Sequence, residues 1–196
     1  RELPMAGTES GFNATGETQE KWLRKALSDV HHNLILLGEG FWLNVGFHGA
    51  DMGRKANENT WGYFFNLDPE RDFGIRKASP KPVVPAYAAM SFLLEGHKTA
   101  GAIEWLGWGT CGYAYERGND VILALWSGEH KEVTVPVGVT RAQVFDWMGN
   151  ASNVMCPDGV LKLALAKEPR YIKGVSADLW GRDGKGKPLS LKLTDM

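Results

Sequence analysis

The sequence has little cysteine: Cys111 and Cys156 are the two thiols among 196 residues. They are compatible either with one disulfide or with two buried free thiols, and spacing alone does not decide between these states. Histidine offers no clear metal site, because His31 and His32 are adjacent and neighbouring residues of a helix point about 100° apart. We therefore expect neither a structural metal nor another cofactor.

The sequence also lacks a charge imbalance and a long apolar run. Its 22 Lys and Arg residues nearly cancel 23 Asp and Glu residues, and the net charge of -1 gives no reason to expect nucleic acid or an anionic membrane as a partner. No stretch approaches the roughly 20 apolar residues that a membrane span needs. No initiating methionine and no signal peptide are visible, so we expect a fragment or a processed chain.

Apolar residues make up 43% of the chain, which is enough for a packed core. In the first hundred residues, strand and helix patterns alternate. A short apolar strand over Leu3–Gly7 is predicted to end at Glu9, and a helix with Thr18 as its N-cap is predicted to run to about His32, possibly one turn further. The polar face of this helix is predicted to carry Lys21, Arg24, Lys25 and Asp29.

A second apolar strand, Phe41–Phe47, is predicted to be covered on both faces because it carries few polar residues. His48 and Asp51 follow at its C-terminal end. The long segment Met52–Pro82 comes next and is typical of a functional loop or lid, and a helix over Val84–Leu94 follows it. Four aromatic residues of this segment are candidates for the walls of a binding site: Trp61, Tyr63, Phe64 and Phe65.

From Gly101 the pattern changes to short, partly alternating apolar segments separated by turn residues, beginning with Ile103–Leu106. This pattern predicts an antiparallel β-sandwich or meander. We therefore predict an α/β region over 1–100, an all-β region over 101–180 and a linker or tail over 181–196. Four tryptophans are assigned to the hydrophobic cores of these regions: Trp42, Trp105, Trp108 and Trp126.

The order of these features resembles that of retaining glycoside hydrolases with a (β/α)8 barrel. Those enzymes carry a nucleophilic glutamate at the end of strand seven, in a stretch of the form Pro-x-x-x-Thr-Glu-x-Gly. The stretch here is Pro4-Met5-Ala6-Gly7-Thr8-Glu9-Ser10-Gly11. The helix from Thr18 to about Leu36 would then be helix seven, and Phe41–Phe47 would be strand eight.

Later segments extend the resemblance. Residues 74–87 are similar to the loop and start of helix eight in these enzymes. A small β-sandwich closing with a phrase such as Val144-Phe145-Asp146-Trp147-Met148-Gly149-Asn150 is also typical of them. The likeness covers most of residues 3–175 and is nearest to the β-xylosidase and α-L-iduronidase family and its polysaccharide-cleaving relatives.

The resemblance implies the last two strand–helix units of a barrel followed by a β-sandwich, with Glu9 as the nucleophile and a carbohydrate as the substrate. His48, Asp51, Trp61 and Tyr63 are then predicted to bind the substrate. Because a full barrel needs eight units and about 250 residues, a second chain is expected to carry the N-terminal strands. That chain would also hold the acid/base glutamate, which these enzymes place as Asn-Glu at the end of strand four. Export to the periplasm or the cell exterior is a further implication.

Each functional assignment has a structural alternative. Glu9 could be a solvated glutamate at a strand–loop junction, Asp51 a loop cap and His48 a satisfied histidine at the barrel mouth. Glu39 is given no catalytic role, because it precedes strand eight and so falls on the stability face of a barrel. The competing hypothesis is a non-catalytic carbohydrate-binding or structural module, in which the β-sandwich carries the function. No phosphate-binding glycine loop or serine-hydrolase elbow is present.

Overall fold

A computed structural model describes residues 4–13, 18–46, 49–51, 61–65, 79–103 and 106–180. The chain divides into two compact units. The first contains residues 1–36 and 41–92, and the second contains residues 37–40 and 93–196. The first unit combines helices with two strands, and the second consists mostly of β-sheet. His48, Trp105 and the predicted tail over 181–196 lie outside the described residues.

The first unit contains a strand–helix–strand motif. Strand β1, Ala6–Ser10, and strand β2, Leu43–Gly46, are parallel neighbours, and helix α1, Gln19–Gly38, connects them. Parallel neighbours need such a crossover, because the end of one strand lies at the opposite edge of the sheet from the start of the next. The elements therefore follow in the predicted order.

Helix α1 begins at the predicted cap and is longer than predicted. The Lys21 N–H donates to the Thr18 hydroxyl (3.4 Å), so Thr18 satisfies one of the free donors of the first turn. The helix continues beyond His32 to Gly38 because apolar residues continue the helical period. Ala26, Val30 and Leu34, at intervals of four, are all fully buried, and they form the face that packs into the core.

Helix α2, Val83–Leu94, begins one residue before the predicted start. Pro85 lies in its first turn, where a missing N–H costs no intrahelical hydrogen bond. Val83, Ala86 and Met90 are buried, and they give the helix its packed face.

The two strands of the first unit differ from the prediction in position and burial. β1 begins three residues later than predicted, so Glu9 lies inside the strand rather than after it. β2 is not covered on both faces, since Leu43 and Val45 are 41% and 44% exposed, and Trp42, assigned to the core, is 65% exposed. Among the described residues β2 pairs with β1 alone. The two strands thus form a two-stranded parallel sheet in the described part of the chain, and these apolar side chains are exposed on it.

The second unit is a β-sandwich of two antiparallel sheets, as the sequence predicts. Its strands are β3 Lys98–Ala102, β4 Thr110–Arg117, β5 Asp120–Ser127, β6 Lys131–Pro136, β7 Arg141–Phe145, β8 Ala151–Met155, β9 Val160–Leu165 and β10 Arg170–Val175. The larger sheet has the order β3-β4-β5-β10-β7-β8, and β6 pairs with β9 in the smaller one. A short helix α3, Ala177–Trp180, follows β10.

The core of the sandwich lies along β5 and β10. Leu123, Leu125 and Ile172 belong to one buried cluster with Val135 of β6 and Leu161 of β9. Alternate residues of each strand supply this cluster, as expected for strands whose inner faces pack together. The antiparallel sandwich predicted from the sequence is thereby confirmed.

Several details of the second unit depart from the prediction. The strand predicted from Ile103 is not found at its described ends, Ile103 and Leu106, because the chain pairs earlier, at β3; residues 104 and 105 lie outside the described residues. Strand β8 was not predicted, since Ala-Ser-Asn-Val-Met has no clear apolar alternation. Trp126 is buried as predicted, but Trp108 is 100% exposed. Trp108 lies in the turn before β4, between two glycines, rather than in a strand that faces the core.

Both cysteines are free thiols, and they differ in burial. Cys111 is exposed and Cys156 is buried. This excludes the single-disulfide alternative and corrects the expectation of two buried thiols. Cys111 falls on β4 at a position whose neighbour in the strand, Gly112, is buried, so the alternation of the strand turns its thiol outward.

Candidate functional site

Glu9 is the fourth of the five residues of β1, and its side chain is exposed. Gly7 pairs with Asn44 and Ser10 pairs with Gly46. Between these two pairs the chain advances by three residues in β1 but by two in β2. One extra residue therefore lies at Thr8–Glu9, and an irregularity of this kind changes the direction in which the local side chains point. The bulge thus sets the direction of the Glu9 side chain at the C-terminal end of the strand.

The backbone beyond the bulge is held by a hydrogen bond. The Ser10 hydroxyl donates to the Val45 carbonyl oxygen (3.2 Å). Because Val45 is part of β2, this bond keeps the last residue of β1 in register with its neighbour. Glu9 is therefore held between two paired positions, Gly7 and Ser10.

Asn44 connects β2 to helix α1. Its side-chain amide donates to the Asn33 side-chain oxygen (2.7 Å), and the Asn33 amide donates to the Asp29 carbonyl oxygen (2.8 Å). A Cβ at Gly7 would lie 2.5 Å from the Asn44 side-chain oxygen. A larger residue at position 7 would therefore displace the amide that ties the strand to the helix.

Lys25 and Asp29 were predicted on the polar face of α1, but both are buried. Their Nζ and Oδ2 atoms lie 2.5 Å apart. Burial raises the pKa of Asp29, and the smaller effects of the Lys25 charge and of hydrogen bonds from Lys25 and the Phe12 backbone oppose it. Opposite charges four residues apart on a helix can enter the interior together, because each neutralises the other.

Tyr63 packs beside this buried ion pair. The Lys25 ammonium lies 5.0 Å from the centre of the Tyr63 ring, and that ring is 5.9 Å from the ring of Tyr87. Burial, and next the charge of Asp29, raise the pKa of Tyr63 far above its usual range, so its hydroxyl stays protonated at neutral pH. The Tyr63 oxygen also approaches the end of β2, since a Cβ at Gly46 would lie 3.0 Å from it.

Asp51 forms a second buried ion pair, with Lys81. Their side chains are 2% and 1% exposed, and the Lys81 Nζ lies 2.5 Å from the Asp51 Oδ1. The Gly62 N–H donates to the same carboxylate oxygen (3.0 Å). A Cβ at Gly62 would overlap the backbone of Ala50 and Asp51. The close contact between these two stretches of backbone therefore requires glycine at position 62.

Residues 49–51, 61–65 and 79–81 form what we call the three-segment platform. Its members are far apart in the sequence, and the Asp51 carboxylate contacts one residue in each of the other two segments. The ring of Phe65 packs edge-on against Trp22 of α1, at 4.7 Å between centroids. Four backbone hydrogen bonds join the segments of the platform. In each, the N–H of the first residue donates to the carbonyl oxygen of the second: Phe64 to Gly49, Asp51 to Phe64, Phe65 to Ser79 and Lys81 to Tyr63.

The structure thus brings together some of the predicted site residues. Asp51, Trp61 and Tyr63 belong to the platform, with Trp61 and Tyr63 half-buried. Asp51 faces Lys81 and Gly62 rather than solvent, so the described geometry gives its carboxylate a structural contact. Glu9 lies on β1, and His48 is outside the described residues. Phe64 is exposed and Phe65 is buried.

Sequence reasoning missed the two lysines of the buried pairs. The i,i+4 spacing of Lys25 and Asp29 was a usable signal, because a complementary pair can be accommodated in the interior. Lys81 had no such signal. It lies between two prolines, and its partner is 30 residues away in the sequence.

Within the described ranges, no three His, Cys, Asp or Glu side chains are grouped so that they could hold a metal ion. No helix in the described part of the chain is long and apolar enough to cross a membrane.

No family model matches the sequence, and no curated protein matches it. Solved structures do match. A family 39 glycoside hydrolase from the gut symbiont Bacteroides cellulosilyticus WH2 is 20% identical with a TM-score of 0.64, over 90% of this chain and 34% of that one. A family 30 endoxylanase from Clostridium papyrosolvens C71 is 11% identical with a TM-score of 0.57, over 88% and 42%. An endo-β1,6-glucanase is 11% identical with a TM-score of 0.56, over 88% and 36%.

These likenesses establish the fold. The chain spans between 34% and 42% of the length of these three structures. The order of elements, with a strand–helix part followed by an antiparallel sandwich, matches the C-terminal portion that the sequence predicts. The chain therefore has a fold related to that of the C-terminal part of glycoside hydrolases.

Proposed function

We propose that this chain is the C-terminal part of a retaining glycoside hydrolase, and that Glu9 is its nucleophile. The observation that carries the proposal is the position of Glu9 at the C-terminal end of β1, a strand parallel to β2, in a fold shared with glycoside hydrolases. In (β/α) barrels the chemistry takes place at this end of the strands. Glu9 is exposed and so is open to a substrate.

The proposed reaction has two steps. In the first, the Glu9 carboxylate attacks the anomeric carbon while a second carboxylic acid protonates the leaving glycosidic oxygen, whose bond to that carbon breaks. In the second, water attacks the same carbon, the second carboxylate takes the proton of the water, and Glu9 leaves. Retaining enzymes hold the two carboxyl groups about 5–5.5 Å apart.

The second carboxyl group is proposed to lie on a second chain that carries the N-terminal barrel strands. Parallel sheets are normally covered on both faces and continued at their edges. Trp42, Leu43 and Val45 are instead exposed along β2. We propose that the remaining barrel strands pair beside β1 and β2 and that their side chains cover these apolar residues.

The platform is proposed to form a wall of the substrate pocket. Trp61 and Tyr63 provide aromatic surface, and the protonated Tyr63 hydroxyl can donate a hydrogen bond to a sugar oxygen. His48 is proposed to bind sugar hydroxyls at the end of β2. The Asp51 carboxylate accepts the Gly62 N–H. Asp51 is therefore proposed to contribute to substrate binding by fixing the backbone next to Trp61.

The test is the variant Glu9→Gln in the reassembled enzyme. Glutamine keeps the size of the side chain but cannot attack, so we expect turnover to fall by about 10⁴-fold or more, with sugar binding retained. The matched control is Glu20→Gln, which changes an exposed glutamate in the first turn of α1 and should leave turnover unchanged.

A covalent label provides a second measurement. A 2-fluoro glycoside slows the hydrolysis of the glycosyl–enzyme ester, so peptide mapping should find the trapped sugar on Glu9. Turnover that survives Glu9→Gln, or a trapped adduct on another residue, would refute the proposal.

A further inference from the structure

Trp108 is the most exposed large apolar residue of the described chain. Its side chain is 100% exposed, and the next value, that of Phe92, is 77%. Tryptophan is usually largely buried, because its ring removes about 150–250 Å² from water when it is covered. A fully exposed tryptophan in the second unit is therefore a candidate contact surface for a ligand.

The turn that carries Trp108 is closely constrained. Gly107 and Gly109 on either side of it have φ angles of 78° and 77°, a conformation that other residues rarely adopt. The Thr110 N–H donates to the Gly107 carbonyl (3.2 Å), and the Gly128 N–H donates to the Gly109 carbonyl (2.9 Å). The Ser127 hydroxyl also donates to the Gly109 carbonyl (3.1 Å).

Lys131 holds the other side of the same turn. Its ammonium group donates to the Leu106 carbonyl (3.2 Å) and the Trp108 carbonyl (3.5 Å). Because the backbone on both sides of Trp108 is fixed, a ligand that stacks on the indole does not have to order the turn. A contact that is already ordered loses less entropy on binding.

We propose that Trp108 is a stacking platform for a sugar ring of a polysaccharide, and that it forms a second carbohydrate-binding site in the β-sandwich. The choice of ligand class rests on the proposed function. One face of a pyranose ring presents C–H groups, which match a flat aromatic surface. The neighbouring turn, joined to this one by the Gly128 hydrogen bond, presents exposed Glu129 and His130, whose side chains can bond to hydroxyl groups.

A protein partner fits this surface poorly. A stable protein interface buries about 1,000 Å² or more around an apolar centre. The residues beside Trp108 are Gly107 and Gly109, and those of the adjacent turn are Gly128, Glu129 and His130. Among the described residues of these two turns, one aromatic ring lies among glycines and polar side chains, an area that matches a sugar ring rather than a protein interface.

The experiment measures retention of the 196-residue chain on insoluble xylan and its mobility in gels containing soluble xylan or β-1,6-glucan. We expect Trp108→Ala to weaken binding about 3- to 10-fold, the range expected for one aromatic contact. Trp108→Phe keeps an aromatic face and should recover part of the loss. Phe92→Ala removes another exposed aromatic ring and should have no effect.

Three outcomes would overturn the inference: a wild-type chain that none of these polysaccharides retains, a Trp108→Ala chain that binds as well as wild type, or an equal loss in Phe92→Ala. Circular dichroism of each variant shows whether it is folded. This assay measures retention on a polysaccharide, whereas the test of Glu9 measures turnover. Failure of this inference therefore leaves the test of the nucleophile intact.

Discussion

The carboxylate of Asp51 lies 2.5 Å from the ammonium group of Lys81, although 30 residues separate them in the sequence. Both side chains are almost completely removed from solvent. The same carboxylate oxygen accepts the Gly62 N–H. This one oxygen therefore joins all three segments of the three-segment platform.

We expect Asp51→Asn to lower the free energy of unfolding by about 3–5 kcal/mol, the usual cost of leaving one member of a buried ion pair uncompensated. Urea denaturation followed by tryptophan fluorescence measures this change. Adding Lys81→Met should recover part of the loss, since the unpaired cation is then removed. Asp158→Asn, at an exposed position, is the control and should stay within about 0.5 kcal/mol. A loss below about 1 kcal/mol in Asp51→Asn would contradict the importance of the pair.

Gly62→Ala should destabilise the first unit by about 1–3 kcal/mol or more. The new Cβ would overlap the backbone of Ala50 and Asp51, and backbone cannot move aside as a flexible side chain can. Gly49→Ala is the matched control, because a Cβ there meets nothing within 4 Å. Thermal unfolding of the two variants should give a clearly lower midpoint for Gly62→Ala, and equal midpoints would refute the close approach.

Tyr171→Phe should stabilise the chain by about 1 kcal/mol, because the hydroxyl that it removes is buried without a hydrogen-bond partner among the described residues. Tyr113→Phe is the contrasting variant. It removes a hydroxyl that donates to Glu39 (2.7 Å), so it should destabilise the chain. Equilibrium unfolding at pH 7 measures both changes, and the same sign for the two would be inconsistent with these contacts.

The Tyr171 hydroxyl also predicts a dependence on pH. Burial raises the pKa of Tyr171 above its usual value of 10.0, so below that pH the hydroxyl is protonated in both the folded and the unfolded chain and stability does not depend on its ionisation. Above it the unfolded chain ionises while the folded chain keeps its proton, and the free energy of unfolding falls as pH rises. Tyr171→Phe should therefore lose stability less steeply above pH 10 than wild type. Parallel curves would contradict the raised pKa.

One thiol should react quickly in the folded chain. Cys111 is exposed and Cys156 is buried, and burial raises the pKa of Cys156, which lowers its thiolate fraction. An aromatic disulfide reagent should label one thiol at once and the second only on unfolding. Cys111→Ser should abolish the fast phase, and a fast phase that persists would place the exposed thiol elsewhere.

The regular features of the fold were predictable because they depend on local periodicity. Ala26, Val30 and Leu34 recur at helical spacing, and Thr18 is a typical N-cap. The antiparallel sandwich was also predictable from local signals, because its strands are short and the turns between them are rich in Gly, Asn and Asp.

The remaining features depend on strand pairing, burial and exposure, which a local sequence pattern does not show. The extra residue at Thr8–Glu9 exists only relative to the partner strand, so nothing local predicts it. Lys25 and Asp29 look like solvent-facing residues until their pairing is known. Trp42 and Trp108 were assigned to cores because tryptophan is usually buried, but both are exposed. The parts of the candidate site that the sequence indicated are the position of Glu9 near the C-terminal end of β1 and the grouping of Asp51 with the segment of Trp61 and Tyr63.

The three-segment platform has a consequence for how related chains could diverge. Its segments 49–51, 61–65 and 79–81 are hydrogen-bonded to one another, so the points that flank residues 52–60 and 66–78 are held in place by the platform itself. Lengthening a loop with fixed ends costs little, about 0.6 kcal/mol for each doubling. Insertions between these segments should therefore be tolerated, because the hydrogen bonds of the platform do not depend on the length of chain between its segments.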